Sequence, residues 1–308
     1  MYLSRNIWLV LIVIMISSCS TETFNVTSPT GKLEVTVEPM RGNAYDKITF
    51  SVNYNGKTIL SETELGLETD VQKFYGNLKL KSVSKAKRII DDYTMITGKR
   101  SHCINEAFER TYSFENQKGN TLNIIFRAYD NGVVFRYEIN TIADKEYVVD
   151  EYTAYNIPQG AKRWMQQYDP GYEKFFPVST DGKLPGRPKV NSWGYPGLVE
   201  LQDSVFVLIT EANIRRGHCG SLLFNGDNND RYQVKLADKK QVAERTWISP
   251  WRVLIIGGLS DIVESTLVTD VSDPSKVEYT EWINPGMVSW IYWAYNHGSK
   301  DYQKVKEY

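Results

Sequence analysis

Leu122-Asn123-Ile124-Ile125-Phe126-Arg127-Ala128-Tyr129 is followed by Asp130-Asn131-Gly132 and then by Val133-Val134-Phe135-Arg136-Tyr137. Two runs of apolar, β-branched and aromatic residues joined by so short a polar turn read as an antiparallel hairpin, with Asn-Gly supplying the positive φ angles such turns use. The same period of two recurs upstream in Leu33-Glu34-Val35-Thr36-Val37 and Ile48-Thr49-Phe50-Ser51-Val52, and Asn55-Gly56 supplies a second hairpin turn. Alternation of this kind means strands with one buried face. No strand-helix-strand rhythm interrupts it and no helical period persists. The fold class is therefore all-β, a large antiparallel sandwich.

Further along, five of the eleven prolines lie between Asp169 and Gly197, together with five glycines. That predicts one long irregular loop, and its Tyr172, Phe175, Phe176, Trp193 and Tyr195 make it too aromatic for a solvated tether, so it is expected to pack on something. Strands resume at Ser204–Ile209 and at Arg252–Ile256. Ser260 is then expected to cap a short helix reaching about Val268, with Ile262, Val263 and Leu267 on its apolar face. After Asp273-Pro274 the character changes: Met287–Trp293 reads as a buried strand, and Ser299 with Asp301 as the start of a helix.

Composition narrows the function classes. With 36 Lys plus Arg against 37 Asp plus Glu in 308 residues, the formal net charge of -1 gives no basic surface for nucleic acid or an acidic membrane. Three His and three Cys leave little for a zinc cluster or a disulfide framework. His102-Cys103 and His218-Cys219 repeat one dipeptide, yet neighbours on a strand face opposite ways, so each offers one ligand at most. A Cys103–Cys219 disulfide is chemically allowed outside the cytosol, with two unpaired thiols as the alternative. Gly56-Lys57-Thr58 lacks the first glycine of a phosphate loop, and Asp227-Asn228-Asn229-Asp230 runs into Arg231 and Tyr232 where a calcium loop needs an oxygen ligand and a glycine. A nucleophile elbow is missing as well.

At the N-terminus, Arg5 precedes the apolar run Ile7–Ile16, about half of the roughly 20 residues a spanning helix needs, as in a signal peptide. The run ends in Ile16-Ser17-Ser18-Cys19, which resembles a bacterial lipobox. Residues 1–19 are thus expected to be a lipoprotein signal, with Cys19 lipidated and the membrane engaged only through that anchor. The residue after Cys19 is Ser20 and not Asp, which points to the outer membrane, facing the periplasm.

Several stretches together resemble glycoside hydrolase family 97, the α-glucosidases and α-galactosidases. They are Ser28–Leu33, Tyr54–Thr58, Leu65-Gly66-Leu67, Phe126–Val133, Tyr195–Leu198, Ile209-Thr210-Glu211-Ala212, Ser249-Pro250-Trp251-Arg252 and Trp282–Gly286 with Val288-Ser289-Trp290. The resemblance implies a galactose mutarotase-like super-sandwich over residues 24–273, followed over 281–308 by only the first strand and helix start of a catalytic (β/α)8 barrel, which takes about 250 residues. It implies exo-acting cleavage of an α-linked oligosaccharide, with calcium as cofactor and Glu211 as the ligand this domain lends. One carboxylate is not a calcium site, and the catalytic carboxylates would lie beyond Tyr308, so the chain is expected to be inactive alone. Trp193 is the candidate sugar platform, against a packing role. The rival reading is a non-enzymatic carbohydrate-binding or structural lipoprotein.

Overall fold

The computed structural model describes residues 25–39, 47–226, 228–238, 241–287 and 303. The signal segment with Cys19, most of the expected Met287–Trp293 strand and the expected helix start at Ser299 lie outside those residues. Within them the chain forms one eight-stranded and one eleven-stranded antiparallel sheet, with a four-stranded sheet at the side.

The decisive hairpin is present: Thr121–Tyr129 pairs with Gly132–Asn140 from Leu122 opposite Ile139 to Tyr129 opposite Gly132. Its turn differs from the expectation. No residue of Asp130-Asn131-Gly132 has positive φ, whereas Asn55 (51°) and Gly56 (76°) both do, so only the second hairpin has the left-handed turn that Asn-Gly favours. Gly132 is required for space instead: a Cβ there would lie 2.4 Å from the Leu254 carbonyl oxygen and 2.5 Å from the Leu267 side chain. Asp130 turns back on the Ser28–Leu33 segment, accepting from the Thr30 hydroxyl at 2.7 Å and the Thr30 N–H at 3.1 Å.

Between the large sheets lies the main core. Phe50, from Ile48–Tyr54, enters from one sheet and meets Phe126 and Phe135 of the other at ring distances of 5.1 and 5.2 Å, both edge-on. Aromatic pairs in this geometry add to the area they bury. On the outer face of the eleven-stranded sheet, Trp251, Val253 and Ile255 form a second cluster beneath two short helices, Leu259–Glu264 and Leu267–Asp270. The strand Trp251–Gly257 is thus buried on both faces, which explains its apolar run from Val253 to Ile256.

The helical segment departs from the expectation in detail. Its cap is Gly258, whose N–H donates to the Asp261 carboxylate at 2.8 Å, and the helix breaks at Ser265-Thr266. Ile262 and Leu267 are buried as expected, while Val263, about 100° round the same helix from Ile262, faces solvent. The Asp169–Gly197 loop, expected to pack on something, does so in part: Trp193 is buried and Tyr195 partly so, but Tyr172, Phe175 and Phe176 are exposed.

Phe50→Ala should cost about 3–5 kcal/mol, the range for emptying a buried aromatic site. The urea midpoint should fall with the slope unchanged. A loss under about 1 kcal/mol would mean that the sheets close without it.

Candidate functional site

Two stretches that are 41 positions apart in the chain become cross-strand neighbours: Glu211 on Phe206–Ala212 faces Arg252 on Trp251–Gly257. Arg252 interrupts an apolar run, and its side chain shares the inter-sheet face with Leu254 and Ile256. A guanidinium buried to 1% exposure must find carboxylates there, because an unpaired buried charge costs several kcal/mol.

It finds two. Nε and Nη2 donate to the Glu151 carboxylate at 2.9 and 2.5 Å as a two-pronged fork, and Nη1 donates to Glu211 Oε2 at 2.5 Å and to the Ser221 hydroxyl at 3.0 Å. Glu151 is itself 1% exposed and takes a further hydrogen bond from Thr153 Oγ1 at 2.7 Å. Thr153 Oγ1 in turn lies 2.7 Å from the Tyr137 hydroxyl, which accepts from the Gly66 N–H at 3.1 Å. Burial alone would lower the Arg252 pKa; the Glu151 and Glu211 carboxylates outweigh it and hold the value well above the ordinary one. Burial pushes the Tyr137 and Tyr195 phenols up, so both stay protonated.

Glu211 is fixed from three directions. Besides Arg252, the Ser221 hydroxyl donates to Oε2 at 2.7 Å and the Ser221 N–H to Oε1 at 3.0 Å. Its side chain is 9% exposed at the end of its strand. One carboxylate fits one position in a calcium shell, but the ion takes six to eight oxygens. No group of three or more His, Cys, Asp or Glu able to hold a metal occurs among the described residues. The described residues alone therefore do not build a calcium site.

Trp193, the candidate sugar platform, requires correction. Its ring is 2% exposed in the main core and its indole N–H donates to Asn225 Oδ1 at 3.0 Å, so it has no face open to a sugar. Trp251 is held between Arg136 and Arg127, whose guanidiniums lie 4.2 and 4.9 Å from its ring centre. The Cys103 and Cys219 thiols are free and have different neighbours, Arg100 O for the first and Asp238 O for the second. Sequence reasoning missed Glu151, since nothing in Val148-Val149-Asp150-Glu151 marks it. Arg252 inside an apolar run was the one available signal that a buried acid had to exist.

This sandwich belongs to a known enzyme family. The chain matches the Glycosyl-hydrolase 97 N-terminal family model over residues 26–274, and is a member of that family. A probable retaining α-galactosidase of Streptomyces bingchenggensis (strain BCW-1) is 25% identical over 247 residues, covering 80% of this chain and 38% of the relative. A glycoside hydrolase family 97 enzyme from Pseudoalteromonas sp. strain K8, solved with panose, superimposes with a TM-score of 0.73 at 21% identity, over 85% of this chain and 40% of the other. A β-arabinopyranosidase crystal structure gives a TM-score of 0.72 at 29% identity, over 83% and 44%. The chain thus spans less than half the length of these relatives.

Arg252→Met, which leaves two buried carboxylates without their cation, should destabilise the fold by about 3–5 kcal/mol. Glu211→Gln should cost less, because the amide oxygen still accepts from Arg252 and Ser221. Urea unfolding checks the order, and equal costs would contradict the assigned geometry.

Proposed function

We propose that this chain is the N-terminal sandwich of a calcium-dependent, exo-acting α-glycosidase and that it supplies Glu211 to the active site from the end of an interior strand of its eleven-stranded sheet. The observation that carries this reading is the Arg252 guanidinium. Its Nη1 holds Glu211 Oε2 at a strand end, while among the described residues Oε1 accepts only the Ser221 N–H, which leaves a lone pair for a further partner. Two carboxylates share one guanidinium, so the cluster keeps an excess negative charge that favours a cation. Calcium, when bound, would supply charge stabilisation to the reaction, and its other ligands would come from outside the described residues.

Glu151 and Glu211 are not the catalytic pair. Glycoside hydrolysis needs one carboxyl to protonate the leaving oxygen and a second on the opposite face of the sugar, whereas here both are committed to Arg252. Galactosidase, panose-bound enzyme and arabinopyranosidase among the relatives leave the sugar open. In this reading the 308-residue chain has no turnover on nitrophenyl α-galactoside or α-glucoside, and calorimetry finds no micromolar calcium affinity. Turnover proportional to protein, or tight calcium binding lost in Glu211→Gln, would contradict it.

The lipobox-like Ile16-Ser17-Ser18-Cys19 supports a lipid anchor on Cys19 and a periplasmic outer-membrane location. Expressed in a bacterium, the chain should sediment with outer membranes and Cys19→Ser should not; equal sedimentation of both would remove the anchor.

A further inference from the structure

At the end of the sandwich opposite Glu211, the two large sheets part around a cleft of about 610 Å³. Val205, which lines it, is six residues from Glu211 along an extended segment, about 20 Å at the rise of a strand. The cleft is therefore separate from the site described above.

Its floor is apolar: Ile59, Ala161, Leu201 and Val205 are partly buried and rest on the main core. Tyr54 contributes an aromatic wall, and the exposed amides of Asn55, Gln159 and Gln202 rim the opening. Four charged side chains also line it, and each already has its partner: Lys57 lies 2.5 Å from Asp203 and Lys162 lies 3.0 Å from Glu200. Among these four the charges cancel, and Lys32 beside the cleft lies 5.0 Å over the Tyr54 ring, so the lining residues offer no unpaired cation for a phosphate or carboxylate and no unpaired acid for an amine. One wall is built under strain. Asp203 and Ser204 are consecutive non-glycine residues in the left-handed region, with φ of 59° and 56°, and the first of them spans to Lys57 on the opposite sheet.

Apolar floor, aromatic wall, amide rim and balanced charge together select a neutral ligand with one apolar face and many hydroxyls. We propose that this cleft is a binding site for a neutral pyranose sugar, of mono- or disaccharide size. The volume falls within the roughly 300–1,000 Å³ of small-molecule sites. A pyranose presents its C–H face to Tyr54 and the apolar floor and its hydroxyls to the amides, and such a site would keep a carbohydrate against the protein without cleaving it. This inference does not depend on the glycosidase reading: its test measures binding and not turnover, so either can fail alone.

The test is backbone amide NMR of the 308-residue chain titrated with maltose, with melibiose and, separately, with inorganic phosphate. Expected are saturable shifts, millimolar or tighter, from at least one disaccharide, centred on residues 54–59, 158–162 and 200–205, and none from phosphate. Gln159→Ala and Gln202→Ala, both at exposed positions where the fold tolerates change, should each weaken binding severalfold, and Tyr54→Ala about tenfold, about 1.4 kcal/mol. No saturable sugar shift, shifts centred elsewhere, a preference for phosphate, or glutamine variants that bind like the parent would each overturn the proposal.

Discussion

A guanidinium at 1% exposure cannot remain in an apolar interior without carboxylates, and that requirement at Arg252 ties the structure together. Arg252 and Glu211 stand on adjacent strands of the eleven-stranded sheet, Glu151 ends a strand of the small side sheet, and Ser221 begins a strand of the eight-stranded sheet. One side chain therefore connects all three sheets through four hydrogen bonds. Sheet-on-sheet packing by hydrophobic contact alone is tolerant of sliding. A two-pronged fork to Glu151 and a single prong to Glu211 are not.

Stability and the placement of Glu211 are linked at this point. The apolar part of the core, with Phe50 between Phe126 and Phe135, closes the sandwich, whereas the polar plug sets the relative position of its strand ends. Glu211 inherits its position from that plug and not from its own rotamer preferences. A side chain locked by hydrogen bonds to rigid strands is placed more precisely than a loop residue.

The class of fold was legible because the dominant signals are local. Alternation in Leu33–Val37, Ile48–Val52 and Leu122–Tyr137 marks half-buried strands, and the pairing found follows that pattern. What local pattern could not reveal depends on contacts across the chain. Gly132 looked like a turn glycine but is needed for the approach of Leu254 and Leu267, which lie more than 100 positions later. Trp193 could be read from its loop either as a sugar platform or as a packing residue, and only the fold shows Asn225 taking its indole N–H inside the core. Glu151 carried no signal at all, since its role exists only when Arg252 arrives from a distant strand. The family motifs did mark both Glu211 and Arg252, though not that they face one another.

The claim that Arg252 and Glu151 act as one unit is tested most directly by a double-mutant cycle with Arg252→Met and Glu151→Leu, read by urea unfolding. If the pair is a single buried unit, each substitution alone is severe and the second adds little, with a coupling of about 2 kcal/mol or more, near the upper end for contacting residues. Costs that add to within about 0.5 kcal/mol would show the two side chains to be independent, and the plug would not be what positions Glu211.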